Sequence, residues 1–168
     1  MLDLVDIPAS RVVVEYGPGT GAFTDAIGPR LGAGARLFGI ELNAHMADVL
    51  AHRHPGVRIH RRSVDEVEAV CRDEGLSGQG CVDVIISGLP WASFPDDLQV
   101  RALEATARVL RPGGAMVTFG YHIGLMLPAG RRFYKRLPEY FPSITRSRTV
   151  WSNLPPAFVF TCRTAGGA

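Results

Sequence analysis

The chain has 168 residues, 46% hydrophobic and 20% charged, which excludes a disordered or low-complexity protein and is enough to bury a sizeable core without disulfides or structural metal. The cysteines, Cys71, Cys81 and Cys162, are odd in number and form no C-x-x-C pair, so a secreted disulfide framework and a zinc ribbon are not expected and a reducing cytosol is. Lys and Arg number 18 against 16 Asp and Glu, a net charge of +2; no apolar run is long enough to span a membrane, and Asp3 and Asp6 stand where a signal peptide needs bases.

In chain order, short apolar runs alternate with helical patterns. The first run is Val12-Val13-Val14, followed by a helix over 20–31 that Gly28-Pro29 should end or kink. A strand over 36–42 leads into a helix over 43–54, with Asn43 placed as its N-cap. A strand over 57–60, a helix over 64–74 and a strand over 82–86 come next. The helix over 95–110 carries Val100, Leu103, Ala107 and Leu110 on one face and is stopped by Arg111-Pro112-Gly113-Gly114 before a strand over 115–119. Residues 120–142 break the alternation, with a short helix near 129–137. Strands over 144–151 and 157–163, joined by Ser152-Asn153-Leu154-Pro155-Pro156, suit an antiparallel hairpin. This order predicts one α/β domain over residues 1–168, a mostly parallel sheet with helices on both faces.

The strongest motif is Glu15-Tyr16-Gly17-Pro18-Gly19-Thr20-Gly21, where a strand runs into three alternating glycines and then a helix. Glycines there accept positive φ and let the backbone pass close to a nucleotide-like ligand. Gly17, Gly19 and Ala22 also fit the loose dinucleotide pattern, with Glu41 where a ribose-binding acid belongs. Glu15 discriminates: an acid so near a pyrophosphate is unfavourable, whereas a cationic ligand is attracted to it.

With these residues the chain resembles the class I S-adenosylmethionine-dependent methyltransferases, whose first motif is E/D-x-G-x-G-x-G. The resemblance implies a Rossmann-like seven-stranded sheet ending in an antiparallel hairpin. It also implies that Glu15, Gly17, Pro18, Gly19, Thr20 and Gly21 hold the methionyl and ribose end of S-adenosylmethionine, while Glu41 and the adjoining Leu42 serve the ribose. Where the family has an acidic triplet near the adenine, this chain has Arg62-Ser63-Val64; Ser63 with Val64, or Asp65, stands in its place.

The fourth strand ends in Ser87-Gly88-Leu89-Pro90-Trp91. Amino-adenine methyltransferases carry an Asn or Asp at the position of Gly88, and its absence argues against an adenine amine as acceptor. Val13 to Thr24, Ile40 to Asn43, Ser87 to Pro90, Leu110 to Gly114 and Asn153 to Ala157 are together most similar to the bacterial phospholipid N-methyltransferases. That resemblance implies stepwise methylation of phosphatidylethanolamine, with S-adenosylhomocysteine as by-product. Ser87 and Gly88 would then border the cofactor, and Leu89, Pro90 and Trp91 the acceptor. Tyr121 and His122 are candidate proton acceptors, against a packed Tyr121 and a solvated His122. Trp91, Tyr121 and Trp151 are candidates for a partial cage around the methylated cation, against Trp151 as edge-strand core. The family carries an N-terminal helical extension, whereas only Met1–Arg11 precede the first strand here, so either this is a shortened version or other elements close the site, and weaker cofactor binding is expected.

The net charge is unevenly spread. Between Arg131 and Arg148 six bases face Glu139 alone, a net +5, and the other 150 residues carry −3. Ile123 to Leu127 followed by Arg131, Arg132, Phe133, Tyr134, Lys135 and Arg136 suits peripheral contact with an anionic membrane at its cytoplasmic face, or a clamp on a head-group phosphate. A basic solvated face is the plainer alternative. RNA or a small molecule as acceptor, and a domain that binds the cofactor without turnover, are the other readings; no metal site is expected, since the histidines make no ligand set.

Overall fold

Seven strands make one sheet in the computed structural model, which describes residues 1–166. They are β1 (Val12–Tyr16), β2 (Arg36–Ile40), β3 (Arg58–His60), β4 (Val82–Ser87), β5 (Leu110–Tyr121), β6 (Ser143–Arg146) and β7 (Ala157–Arg163), in the order β3-β2-β1-β4-β5-β7-β6. The first five run parallel; β7 lies antiparallel to both β5 and β6. The helices are α1 (Ala22–Ile27), α2 (Ala44–Arg53), α3 (Val67–Asp73), α4 (Asp96–Val109) and α5 (Pro128–Tyr140). This is the expected Rossmann-like α/β sheet with its C-terminal hairpin.

Period-two alternation decides which residues fill which layer. Val12, Val14 and Tyr16 of β1 point into a core shared with α3, α4 and α5, including Val70, Leu103 and Phe133. Val13 points the other way, to Ile27 of α1 and to Leu37, Ile86 and Val117. β1 is buried along its whole length because helices cover both faces. The Tyr16 hydroxyl meets its polar requirement inside the core, 3.2 Å from Thr106 Oγ1.

Four boundaries differ from expectation. The first helix is shorter: α1 stops at Ile27, and Gly28–Arg30 form a 3-10 turn around Pro29. The Arg111–Gly114 segment is a bulge inside β5, because Val82 pairs with Leu110 and Val84 already with Ala115; Gly113 takes φ +73° there. In α5 the helix runs to 13 residues, with Pro128 in its first turn, where a missing N–H costs little, and Pro138 inside its last turn. β6 ends at Arg146, and beyond it only a single bridge, Val150 to Ala157, continues the hairpin.

Candidate active site

In the order β2-β1-β4-β5, the loops after β1 and β4 leave at the point where the strand order reverses, so a crevice forms between them. Gly17, Gly19 and Gly21 all have positive φ, at 62°, 54° and 88°. Side-chain-bearing residues avoid that region, so the alternating glycines are a geometric requirement of this loop. Contact with the end of β4 is close: Gly88 N–H donates to Tyr16 O at 2.8 Å, and a Cβ at Gly17 would sit 2.6 Å from Leu89 Cδ2.

Glu41, at the end of β2, holds the loop from the other side. Its Oε2 accepts from Gly19 N–H at 3.1 Å and its Oε1 from Asn43 N–H at 2.9 Å. A carboxylate has about four acceptor sites, so capacity remains for hydroxyl groups. A 150 Å³ groove lies between Gly17, Glu41, Leu42, Ser63, Val64 and Leu89. Phe94 and Leu98 line it as well and were missed from the sequence; nothing in the local pattern around them signals a ligand wall. Ser63 caps the turn before α3, with Glu66 closing the capping box. Asp65, the other candidate at this position, is held by Arg101 at 2.9 Å instead and does not line the groove.

Beneath the loop, Glu15 is 1% exposed. Thr24 Oγ1 donates to its Oε2 at 2.7 Å, while Oε1 is buried with no partner. Burial pushes its carboxyl up to about 7, an effect that outweighs the Thr24 hydrogen bond and is reinforced by Asp25 and Glu41. An orphaned buried carboxylate oxygen calls for a donor or a cation. Pro18 is buried and packs over Gly39, and the Thr20 carbonyl accepts from Arg53 Nη1 at 2.6 Å, which fastens the loop to α2.

Beyond Leu89 the groove gives way to apolar space. A cavity of 240 Å³ is lined by Leu89, Pro90, Phe119, Tyr121, Phe133 and Tyr134 among others. A second, of 420 Å³, meets it at Phe119 and Tyr121 and extends past Phe23, Val150 and Phe158. Neither is lined by a carboxylate among the described residues. Tyr121, 36% exposed, is therefore the residue both cavities share at the surface.

Three expected roles need correction. Trp91 is 3% exposed, with one face stacked on Phe133 at 4.8 Å. Its indole N–H is shared between Ser87 Oγ at 3.1 Å and Thr118 Oγ1 at 3.2 Å. It lines the smaller cavity as a wall fixed in place by these contacts, not as an exposed stacking platform; the same contact turns the Ser87 hydroxyl inward. His122 lines neither cavity, because its Nε2 sits 2.9 Å from Thr149 Oγ1 and its ring stacks on Trp151. Trp151 lies in an exposed turn outside both cavities, and is neither cage nor strand core. The two arginines also separate. Arg132 is paired with Asp96 at 2.6 Å, whereas Arg131 Nε donates to Leu125 O at 3.0 Å and its guanidinium has no carboxylate partner among the described residues.

Residues 13–114 match the family described as methyltransferase domain. Over 158 residues the chain is 35% identical to the ornithine lipid N-methyltransferase of Singulisphaera acidiphila, a match covering 92% of this chain and 76% of that one. The chain belongs to the S-adenosylmethionine-dependent methyltransferases. This methyltransferase also shares 34% identity over 95 residues with the ribosomal RNA small subunit methyltransferase A of Opitutus terrae, covering 54% of the chain and 32% of that relative. In fold it is similar to the O-methyltransferase TomG of Streptomyces achromogenes, solved with S-adenosylmethionine, with a TM-score of 0.72 at 20% identity over 96% of this chain and 77% of that one.

The methyltransferase's own residues fit that cofactor. The orphaned Glu15 oxygen suits a cationic ligand, the glycine loop allows a backbone approach that a Cβ would block, and Glu41 keeps acceptor capacity beside the groove. Among the described residues no group of three or more His, Cys, Asp or Glu is placed to hold a metal ion.

Proposed function

We propose that this methyltransferase methylates the head-group amine of a membrane lipid. Phosphatidylethanolamine with its mono- and dimethyl forms, and an amine-bearing ornithine lipid, are the substrate class. The observation that carries the reading is the pair of apolar, aromatic-lined cavities, joined at Phe119 and Tyr121 and without a carboxylate among the described residues, the smaller of which shares Leu89 with the cofactor groove. The 35% identity with an ornithine lipid N-methyltransferase supports it.

S-adenosylmethionine, when bound, supplies an electrophilic methyl group on a sulfonium. The chain's part is to position and desolvate the acceptor nitrogen. A lipid ammonium has a pKa of about 10 in water and is a poor nucleophile until it loses a proton. Entry into a cavity lined by Leu89, Phe119, Phe133 and Tyr134, with no carboxylate to pair it, disfavours the charged form and lowers that pKa. Tyr121, shared by both cavities and 36% exposed, would relay the departing proton, its hydroxyl oxygen taking the amine's proton as its own O–H proton passes to water. Each transfer leaves the nitrogen as an ammonium, permanently charged once it carries three added methyl groups, and the faces of Phe119 and Tyr121 stabilise that cation. Arg131, which makes no ion pair among the described residues, is a candidate cation for the head group's phosphate or carboxylate.

In this reading the protein works at the cytoplasmic face of a membrane as a peripheral protein; no helix among the described residues is long and apolar enough to cross one. The test is transfer of labelled methyl groups to vesicles containing phosphatidylethanolamine or ornithine lipid, beside ribosomal RNA. Labelled lipid is expected. Labelled RNA with unlabelled lipid would replace this reading with RNA methylation, and cofactor binding without transfer to either would sink it.

A further inference from the structure

Among the described residues ten large hydrophobic side chains are exposed, and seven of them fall in two short segments: Tyr121, Ile123, Met126 and Leu127 in one, Val150, Trp151 and Leu154 in the other. A scatter of single exposed apolar residues would need no explanation, but a cluster does. The two segments border the same place. Ile123 and Leu127 line the smaller cavity, Val150 the larger, and Tyr121 both.

Each segment is built as a firm projection. The first is a 3-10 turn, His122–Leu125, seated directly on α5: a Cβ at Gly130 would lie 2.0 Å from Gly124 O, so only glycine permits that approach. The Arg131 guanidinium closes the turn through Leu125 O. The second is tied by Val150 N–H to Ala157 O at 2.7 Å and by Asn153 Nδ2 to Pro155 O at 2.8 Å. His122 couples the two. Its ring nitrogen bonds Thr149, its face stacks on Trp151 at 5.1 Å, and its N–H donates to Pro156 O at 3.0 Å. The histidine that the catalytic expectation leaves over is thus the bolt of a two-pronged rim.

Charge selects the occupant. From Leu110 to Arg163 there are eight Lys and Arg against Glu139 alone, while the first 109 residues carry ten bases and fifteen acids. Asp96 neutralises part of this through Arg132 and Arg136. Arg131, Lys135, Arg146 and Arg148 are exposed and make no ion pair among the described residues. Exposed Trp, Leu and Met side chains beside unpaired cations match an anionic bilayer surface, where the apolar tips sit among acyl chains and the cations among head groups.

We infer that the 121–127 turn and the 150–154 turn together form the membrane-docking surface, and that they insert on either side of the cavity mouth so that a lipid head group passes from the bilayer into the cavities without crossing water. Resting on the lipid-methylation reading, this assignment extends the membrane contact from the 123–136 segment to a rim that the hairpin completes, and gives Trp151 a role as interfacial anchor.

The two tryptophans make the test direct, since Trp91 is 3% exposed and Trp151 is 72% exposed. Vesicles of phosphatidylglycerol mixed with phosphatidylcholine should shift the emission of the wild-type protein to the blue, and brominated acyl chains should quench it; pure phosphatidylcholine should do much less. In parallel, Met126→Ser with Leu154→Ser removes one tip from each prong, at positions 72% and 96% exposed where folding is insensitive. That double variant should sediment with anionic vesicles about tenfold more weakly. It should lose methyl transfer to vesicles while keeping transfer to short-chain lipid dispersed in detergent. An unshifted, unquenched Trp151, or unchanged vesicle binding by the double variant, overturns the docking surface even if lipid is methylated. Wild-type insertion with no lipid methylation in either form refutes the lipid reading and leaves the docking surface standing. Self-association that the double variant abolishes, with no vesicle binding, makes the patch a contact between copies and also overturns the assignment.

Discussion

The two ends of the sheet solve different problems. The β1–β2 side is a backbone cradle flanked by two side-chain carboxylates: three left-handed glycines, Glu15 and Glu41, and a loop pressed so tightly on β4 that Gly88 and Tyr16 share a hydrogen bond. The β5–β7 side is built from side chains: aromatic rings stacked on one another and two apolar prongs bolted by a histidine. The first side presents acids and the second is nearly free of them. A cofactor of constant shape rewards a rigid backbone cradle, whereas an acceptor that arrives on a deformable surface rewards apolar area and diffuse charge.

If the halves are this distinct, damage to one should spare the other. Gly17→Val combines a positive φ with a Cβ 2.6 Å from Leu89 Cδ2. Together these cost about 4 kcal/mol, so cofactor affinity measured by calorimetry should fall roughly a thousandfold. Binding to anionic vesicles should be unchanged, and a parallel loss of it would collapse the distinction. Glu15→Gln tests the buried acid. Its carboxyl titrates near 7 in the folded protein against an ordinary 4.5, so the protonated form is the one folding favours. That contribution is fully present below pH 4.5 and is lost as pH rises through about 7. The ligand-free wild type should therefore lose stability across that window, by at most about 3 kcal/mol. Denaturant midpoints for Glu15→Gln should be flatter there, and an identical pH profile would show that Glu15 is ionised in the free protein.

The same division governs what could be read beforehand. Glu15, the glycine loop and Glu41 are legible because each answers a local demand: positive φ, strand-end geometry, or an acid one strand away. The sheet is legible for the same reason, since burial on both faces leaves unbroken apolar runs at β1 and β4. The acceptor side is set by partners distant in sequence. Trp91 looks like a stacking residue until Phe133 covers it, and His122 looks like a base until Thr149 and Trp151 engage it. Arg131 and Arg132 are indistinguishable as neighbours, and only Asp96 on α4 separates them. The 3-10 turn at His122–Leu125 was hidden because its seat is a glycine contact with α5, not a periodicity.

Gln99 offers a sharper test, because it joins the parts of the acceptor side. Fully buried on α4, its Nε2 donates to Trp91 O at 2.8 Å and Ala129 O at 3.2 Å, and its Oε1 accepts from Arg136 Nη1 at 3.2 Å. Gln99→Leu keeps the volume roughly but leaves those groups without partners, at a cost of about 2 kcal/mol in the denaturant midpoint. The cavity wall should loosen, so methyl transfer should drop with cofactor affinity unaltered. A fall in cofactor affinity instead would mean that the wall and the groove move together through Leu89.

The smallest expected effect belongs to Arg131, and it bears most directly on how the acceptor side reads its substrate. The residue is exposed and its Nε is anchored to Leu125 O, leaving the other guanidinium N–H groups without a partner among the described residues. Contact with a head-group anion is worth about 1 kcal/mol at such a surface, hence Arg131→Ala should raise KM for anionic-vesicle substrate roughly fivefold with kcat nearly constant. Raising the salt should erase the difference between wild type and variant, because a pair this exposed is screened within about 10 Å. Arg132→Ala is the internal control: Asp96 already holds that side chain, so its removal should change stability slightly and KM hardly at all. Equal effects of the two substitutions would show that the segment acts only through its summed charge, and that the ion pair with Asp96 does not sort one arginine from the other.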